Sequence, residues 1–203
     1  MTPETKTRKN NRRLQILAAA RRVLDERGLA AVTTRAIAES VPCSEGAIYV
    51  HFPSRLQLIL TVFEEALGEM LTPLRALEEQ AGTASPVENL QRVVMALQTF
   101  HARVVPMLCS MFAETDLLTE FRSTLADRQK GPHGAVSRIE GYIREEQARG
   151  RIAQGINAEF AAATLMAGSF FGAFHQALLG GSLPALSPKR LVEETVERGE
   201  RAK

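Results

Sequence analysis

The sequence of 203 residues contains no tryptophan and only two cysteines, and each shortage excludes some classes of protein. Cys43 and Cys109 do not have the spacing of a metal-binding pair, and they are too few for the disulfide framework of a small secreted domain. The four histidines are scattered without the spacing of a zinc site. The sequence therefore predicts reduced thiols, no metal and no other cofactor.

Catalytic and membrane motifs are missing as well. We find no nucleophile elbow, no phosphate-cradling glycine loop and no signature of paired catalytic carboxylates. No apolar run approaches the roughly 20 residues that a membrane-spanning helix needs. The N-terminal stretch has basic residues without an apolar core behind them, which argues against a signal peptide. We expect a soluble, cytoplasmic protein that is not an enzyme and does not contact a membrane.

Charge is unevenly distributed along the chain. Residues 1–56 hold ten Lys and Arg against five Asp and Glu, whereas the remainder holds 15 basic and 18 acidic residues. A basic end on a mildly acidic body indicates a polyanionic partner for the first quarter of the chain, although a solvated basic tail has the same composition. Residues 1–10 lack apolar periodicity and are predicted to form a flexible basic arm. Such an arm either enters a minor groove or attracts DNA diffusely.

Apolar residues recur at helical spacing almost throughout the chain, and no segment has the alternation of a strand. Ser54, Ser85 and Asn157 each carry the start signal of a helix. Proline and glycine predict that one helix stops before Pro106 and that residues 131–134 interrupt another. The predicted fold is all-α, with about nine or ten helices.

Two short helices stand out between Thr33 and Arg55. The first is predicted over residues 34–40 and the second from Ser44, with a tight break between them and a supporting helix over residues 11–27. Two short helices joined by a turn of a few residues form a helix-turn-helix, whose second helix fits the major groove of DNA.

The polar and small residues of this stretch are suited to contacts with DNA, because backbone N–H groups and hydroxyls bind phosphates and small side chains allow close approach to bases. Ile48 and Phe52, in contrast, are predicted to be core. The candidate DNA-binding residues are Thr33, Thr34, Arg35, Ser44, Glu45, Gly46, Ala47, Tyr49, His51 and Arg55.

The run T-T-R-x-I-A-x-x-x-x-x-S-x-G-x-I-Y-x-H-F-x-S-R-x-x-L resembles the DNA-binding head of the TetR family of bacterial regulators, over roughly residues 12–62. The resemblance implies a three-helix DNA-binding head, placed here at residues 1–56, and a helical ligand-binding and dimerisation body at 57–203. It implies a homodimer whose repression is relieved by a small molecule. It also implies that Glu45 and Ala47 lie near bases, while the DNA backbone is contacted by Thr33, Thr34, Arg35, Tyr49, His51 and Arg55.

One residue departs from the family pattern. Pro42 occupies the turn position where the family usually has glycine, and proline cannot take the positive φ that glycine allows. Proline also disfavours helical geometry at Val41, so we expect the first helix to end by about Ser40. The operator sequence consequently cannot be borrowed from relatives.

The body is predicted to hold a lipophilic effector between its helices, because such pockets are mostly apolar with a few orienting polar groups. Plain core packing explains the same residues. The candidate ligand-binding residues are Phe100, His101, Val104, Met107, Met111, Phe112, Phe171, Phe174 and His175.

The last two helices, predicted at 157–179 and 189–199, are expected to form the homodimer interface. The first of them is apolar on most sides, which is typical of a helix buried centrally or against a second subunit. Gly168, Phe170 and Gly172 fit either the dimer face or internal packing. A dimer predicts a double-stranded, palindromic operator. The alternative is a ligand- or partner-binding helical module whose head reads DNA weakly because of Pro42.

Overall fold

The computed structural model describes residues 3–127 and 132–197 and, apart from Pro3–Lys9 and Asp127, their side chains as well. Across these ranges the chain is helical and contains no strand, which confirms the all-α prediction. Its helices are α1 (Pro3–Arg27), α2 (Thr34–Ser40), α3 (Glu45–His51), α4 (Arg55–Gln80), α5 (Pro86–Met111), α6 (Thr115–Asp127), α7 (His133–Ala148), α8 (Ala158–Leu179) and α9 (Pro188–Val192). A 3₁₀ turn at Leu29–Ala31 precedes α2, another at Pro184–Leu186 precedes α9, and a π-helical turn at Glu193–Glu197 follows it.

Several helices begin where their capping residues predict. The hydroxyl of Ser54 accepts the backbone N–H of Gln57 at 3.1 Å before α4, and Ser85 stands in the same position before α5. The Asn157 side chain accepts the N–H of Phe160 at 2.9 Å before α8. Each cap satisfies a backbone donor that the first helical turn leaves without a partner, so the start signal is local in sequence.

The N-terminal arm was predicted incorrectly. Because α1 begins at Pro3, the expectation of a flexible chain is wrong for residues 3–10, while Met1 and Thr2 lie outside the described residues. Proline is favoured in the first turn of a helix, and the Glu, Lys and Arg that follow have good helix propensity. A helix can therefore continue here without an apolar stripe.

Pro106 does not end α5, which continues to Met111 and corrects the prediction of a stop. Proline removes one backbone hydrogen bond from a helix interior. Val104, Val105 and Met107 are each at most 3 % exposed, so their burial holds the helix together across the proline. The predicted interruption near residues 131–134 is confirmed where the chain is described, since α7 begins at His133.

The chain divides into two compact units, which we call the head unit and the body unit. The head unit comprises the described residues up to Ala66 together with Pro106–Thr124, and the body unit comprises Leu67–Val105 and the described residues from Leu125 onward. This division by contacts differs from the domain boundary after residue 56, which stays a prediction.

The core of the head unit is built from the inward faces of its first helices, where α1 packs on α2 and α2 packs on α3. Ile16, Leu17, Ile37, Ile48 and Phe52 are each at most 2 % exposed. Burying side chains of this size supplies about 1.5 to 3 kcal/mol each relative to leaving them exposed, which fixes the small helices to one another.

The body unit has an apolar core of its own, contributed mainly by α4, α5, α7, α8 and α9. Gly168 lies where α8 meets α9, and a Cβ built on it would come within 2.7 Å of Leu191 Cδ1. A Cβ on Gly172 would meet Leu186 only at 3.8 Å, which is an ordinary van der Waals distance. The close approach of Leu191 therefore explains Gly168 by internal packing, whereas both explanations given above stay open for Gly172.

Two helices, α5 and α8, are long and apolar enough to cross a membrane by length and composition alone. This corrects the expectation that no such run exists. The finding is weak evidence for a membrane span, because core helices of soluble proteins pass the same test.

Candidate nucleic-acid interface

The two helices of the motif begin at capped positions. Thr33 Oγ1 accepts the N–H of Ala36 at 3.1 Å, and Ser44 Oγ accepts the N–H of Ala47 at 3.3 Å. Both hydroxyls thus satisfy free donors at the starts of α2 and α3. The sequence placed the start of each helix correctly, including Thr33 as one of two possible caps for α2.

The turn between α2 and α3 takes a path that does not need glycine. The last residue of α2 is Ser40, as Pro42 predicts, and Val41 is extended with φ −130° and ψ 134°. The Cys43 N–H donates to the Val41 carbonyl at 2.6 Å, and the Arg12 guanidinium donates to the Pro42 carbonyl at 3.3 Å. The motif thus closes without a positive φ in the turn, since every glycine with positive φ in the described residues lies elsewhere.

The recognition helix α3 has one buried face and one exposed face. Ile48 and Phe52 are each 1 % exposed, which confirms both as core, and Arg13 lies over the Phe52 ring at 4.9 Å. Ala47 and His51 are half-buried at the edges of the buried face. The exposed residues of the helix are Glu45, Gly46, Tyr49 and Val50.

Val50 was not among the predicted site residues, yet it is 67 % exposed on the same face as Tyr49, which is 52 % exposed. An apolar side chain that faces outward from a recognition helix can contact the methyl group of thymine. Its signal was present in the sequence, because Val50 lies four residues after Gly46 and opposite the core residue Ile48.

Two carboxylates at the motif have defined partners. Thr34, predicted to contact phosphate, donates its hydroxyl to Glu45 Oε2 at 2.7 Å and so ties the start of α2 to the start of α3. Arg35 pairs with Glu39 at 3.1 Å, and its side chain remains 82 % exposed. An exposed i,i+4 pair is worth only a few tenths of a kcal/mol, so Arg35 can readily exchange Glu39 for a phosphate.

Arg55, predicted to contact the DNA backbone, is held by partners within the head unit. Its Nε donates to the Val32 carbonyl and its Nη2 to the Leu29 carbonyl, both at 2.8 Å. Both Nη atoms contact the Glu114 carboxylate in a bidentate pair. The hydrogen bond from Arg55 lowers the pKa of Glu114 despite partial burial, so this carboxylate is ionised at neutral pH.

The side chains of the basic residues before Asn10 lie outside the described residues, so the proposed entry of the arm into a minor groove stays a prediction.

The predicted ligand-binding residues are distributed over both units. Phe100, His101 and Val104 lie on the body portion of α5, and Phe171, Phe174 and His175 lie on α8 of the same unit. Met107, Met111 and Phe112 belong to the head unit. Among the nine, His101, Val104, Met107 and Met111 are buried, whereas Phe112 is 66 % exposed and is therefore not a core residue of this chain.

His101 is the best-defined polar group of this set. It is 7 % exposed, its Nδ1 lies 3.2 Å from Ser169 Oγ, and its ring makes an edge contact with Phe170. Because the Ser169 hydroxyl donates to the Met166 carbonyl at 2.8 Å, the imidazole Nδ1–H is the natural donor to Ser169. Burial lowers the pKa of His101 to about 4, so the ring is neutral at physiological pH.

One face of α8 is apolar and exposed. The opposite face, with Ala161, Leu165 and Ser169, is at most 2 % exposed within the body unit. The exposed large side chains of this helix are Phe160, Phe170, Phe171, Phe174, Leu178 and Leu179. Exposed large apolar side chains gathered on one helix are typical of an interaction surface.

Among the described residues there is no cluster of three or more His, Cys, Asp or Glu side chains that could hold a metal ion. The expectation that the chain uses no cofactor stays a prediction.

Comparison with known proteins agrees with this geometry. Residues 16–62 match the family model described as bacterial regulatory proteins, tetR family. The chain is 32 % identical over 109 residues to the HTH-type transcriptional repressor KstR2 of Mycolicibacterium smegmatis, covering 52 % of each chain. It is 30 % identical over 116 residues to the nucleoid occlusion factor SlmA of a Marinomonas species, covering 56 % of each. The chain thus spans about half the length of the curated relatives it matches.

Solved structures share the fold over nearly the whole chain. A putative TetR-family transcriptional regulator from Mesorhizobium loti superposes with a TM-score of 0.67 at 15 % identity, covering 96 % of this chain and 97 % of the other. The fatty acid degradation regulator FadR from Bacillus halodurans gives 0.64 at 16 % identity, covering 96 % and 94 %. At such identities the likeness concerns the fold alone.

None of these relatives bears the name of an enzyme, in agreement with the expectation from the sequence. The motif residues between Thr33 and Arg55, the match of the family model at residues 16–62 and the shared all-helical fold together make the chain similar to bacterial regulatory proteins of the tetR family.

Proposed function

We propose that the protein is a dimeric, DNA-binding transcriptional repressor that leaves a palindromic operator when it binds a small lipophilic molecule. The observation that carries the proposal is the exposed face of α3, which is supported from behind by Ile48 and Phe52 at 1 % exposure each. To read a major groove, a recognition helix must be capped, packed against the rest of the head and exposed on its outer face.

The residues of this face divide by chemistry into those that read bases and those that bind phosphate. Glu45 is an acceptor that suits the amino group of cytosine, and Val50 suits the methyl group of thymine. Gly46 lets the backbone approach the groove floor. Thr33, Arg35, Tyr49 and His51 supply donors for the phosphates, which position the protein without reading sequence.

The dimer is proposed to form through α8, with α9 beside it. Phe160, Phe171, Phe174 and Leu178 recur at helical spacing and are between 37 % and 72 % exposed in the single chain. A second copy is the occupant that this self-complementary stripe favours, because a two-fold axis along it buries the same residues from both sides. Such a dimer presents two recognition helices about one DNA turn apart.

A lipophilic effector is favoured by the surroundings of His101. A neutral imidazole with Phe100 and Phe170 beside it offers one orienting polar group among apolar side chains. The repressor role is favoured by KstR2, which is named a repressor. Thermal-shift screening of apolar compounds tests the effector. A DNA complex that no such compound dissociates would count against it.

DNA binding is tested by fluorescence anisotropy with the DNA that flanks the protein's own gene, titrated over a range of salt concentration. Sequence-selective binding is expected, with a steep dependence on salt. For six contacted phosphates the slope of log K against log salt is about −5. Tyr49→Ala, on the recognition face, should weaken binding, whereas Met95→Ala, equally exposed on α5 at 57 %, should not.

Weak binding that is uniform across DNA sequences would instead support the alternative of a ligand- or partner-binding helical module with a poorly reading head. The two outcomes separate cleanly, because specific binding normally exceeds non-specific binding by at least about 10³-fold.

A further inference from the structure

Arg55 stands at the start of α4, where the family resemblance implies a contact with DNA phosphate, but most of its guanidinium N–H groups already have internal partners. Its Nε and Nη2 donate to the carbonyls of Val32 and Leu29, each at 2.8 Å, and both Nη atoms contact the carboxylate of Glu114. A guanidinium has five N–H groups. Four of them are used here.

The partners of Arg55 come from separate parts of the head unit. Val32 precedes Thr33, the cap of α2, so the Val32 carbonyl lies at the entrance to the helix-turn-helix. Glu114 lies 59 residues further along the chain than Arg55, in the turn between α5 and α6. The arginine therefore fastens three segments together: the entry to α2, the start of α4 and the α5–α6 turn.

A phosphate contact would disrupt this arrangement. Turning the guanidinium toward DNA would leave an ionised carboxylate and two carbonyls without their donor, and a partly buried group that loses its hydrogen bond costs free energy. The negative charge of Glu114 also neutralises the positive charge of Arg55, and it repels a phosphate. Bidentate arginine–carboxylate pairs are, in addition, among the stronger hydrogen-bonded contacts in proteins.

We propose that Arg55 is a positioning residue, which holds the helix-turn-helix in its DNA-binding geometry through Glu114 and the carbonyls of Leu29 and Val32, and that the α5–α6 turn thereby helps to set operator affinity. The inference rests on the proposed DNA-binding function. Glu114, a residue outside the helix-turn-helix, then contributes to operator affinity. It also provides a short connection from Met111, which is fully buried three residues before Glu114, to the entrance of α2.

Glu114→Gln distinguishes the two roles of Arg55, because they predict changes of opposite sign. If Arg55 positions the motif, removing the charge of Glu114 weakens operator binding by about 5- to 30-fold, because the charged pairing that holds the guanidinium is lost. If Arg55 binds phosphate, removing a nearby negative charge leaves affinity unchanged or raises it. Glu120→Gln is the matched control, because it removes an equal charge from an exposed position on α6.

Arg55→Gln supplies the second measurement, the slope of log K against log salt. Loss of a phosphate contact reduces the magnitude of that slope by about 0.9, whereas loss of a positioning contact lowers affinity and leaves the slope unchanged. Hydrogen exchange of Glu114→Gln should show faster exchange in α2 and α3 with α7 and α8 unchanged. That local readout separates repositioning of the motif from general destabilisation.

The outcomes are distinguishable from failure of the proposed function. If the wild-type protein binds its operator and Glu114→Gln binds equally well or more tightly, the positioning role is overturned. A reduced salt slope for Arg55→Gln would overturn it as well. If the wild-type protein shows no sequence-selective binding at low salt, the proposed function fails, and the positioning role for DNA binding fails with it.

Discussion

Glu45 is held at the first turn of the recognition helix by the hydroxyl of Thr34, at 2.7 Å from its Oε2. The hydrogen bond restricts the rotamers of a side chain that would otherwise move freely in solvent. A carboxylate accepts hydrogen bonds only, which suits the amino group of cytosine and excludes acceptors on guanine. Thr34 therefore affects the DNA sequence preference indirectly, because it orients the carboxylate of Glu45.

We predict that Glu45→Gln changes the preferred base at one position of each half-site, because the amide can also donate. Thr34→Val should relax the preference at the same position with little loss of total affinity. Selection of binding sites from a random DNA pool, followed by sequencing, measures both effects. A good base contact is worth about 1 to 3 kcal/mol of discrimination, which is roughly 5- to 150-fold in affinity. Glu39→Gln serves as the control, because the carboxylate of Glu39 pairs with Arg35 and not with Thr34. An unchanged base preference in Glu45→Gln would contradict the proposal that Glu45 contacts a base.

His101 makes the stability of the protein depend on pH. Its pKa falls from the ordinary value of 6.5 to about 4 because burial disfavours the charged ring. Above about pH 6.5 the imidazole is largely neutral in both the folded and the unfolded chain, so His101 does not make the free energy of unfolding depend on pH there. As pH falls from there toward 4, the unfolded chain takes up a proton that the folded protein refuses, so stability is lost in that window.

The free energy of unfolding should therefore fall by on the order of 1 to 2 kcal/mol between pH 7 and pH 5 on account of His101. Urea unfolding at the two pH values measures the loss. In His101→Asn, which does not titrate, the difference between the two pH values should shrink by that amount. His133→Asn, which replaces an exposed histidine, is the control and should behave like the wild type.

At the scale of elements, a buried polar network joins the α4–α5 turn to the C-terminal end of α7. Glu146 is fully buried, accepts the Gly82 N–H at 3.0 Å, and forms an ion pair with Arg151 at 3.2 Å. Nearby, Asn89 donates to the Tyr142 hydroxyl at 2.8 Å, and burial raises the pKa of Tyr142 to about 12, so that hydroxyl stays protonated. A loop and a helix end are thus fixed by groups that would be costly to leave unpaired.

Glu146→Ala should destabilise the protein by about 3 kcal/mol, because it removes a fully buried side chain that accepts the Gly82 N–H and pairs with Arg151. The neighbouring Glu145→Ala is the matched control, since Glu145 pairs with Arg149 at the surface and its loss should cost less than about 1 kcal/mol. Chemical denaturation compares the two variants. Equal losses would show that burial of Glu146 adds nothing to its contribution.

At the scale of the whole molecule, the exposed stripe of α8 is the proposed dimer surface. Phe171 and Phe174, which are 52 % and 37 % exposed in the single chain, lie near its middle. Burying two such rings from each of two subunits supplies several kcal/mol of hydrophobic free energy. Charged groups placed there would have to be buried without partners.

The double variant Phe171→Glu/Phe174→Glu is therefore expected to be monomeric at micromolar concentration, while the wild type is dimeric. Light scattering coupled to size-exclusion chromatography determines both masses. Met95→Glu introduces a charge at an exposed apolar position outside the stripe and should leave the dimer intact. A monomeric wild type, or a double variant that stays dimeric, would contradict the assignment of this surface.

The sequence by itself determined those features that depend on neighbours in the chain. Helix starts at Thr33, Ser44 and Asn157 follow from a side chain that caps a backbone donor three residues away. The end of α2 at Ser40 follows from Pro42, because proline restricts the residue before it. Helical periodicity placed Ile48 and Phe52 in the core for the same local reason.

Tertiary structure decided the contacts that join distant residues, which no local pattern encodes. The motif predicts that Arg55 contacts phosphate, yet its guanidinium pairs with the carboxylate of Glu114, which lies 59 residues away in the chain. Pro106 predicts the end of a helix, yet α5 continues past it because the apolar residues beside it are buried. Gly168 fits two explanations until Leu191 is seen against it. In each case packing free energy between separate segments outweighs the local preference, so only the folded chain reveals the outcome.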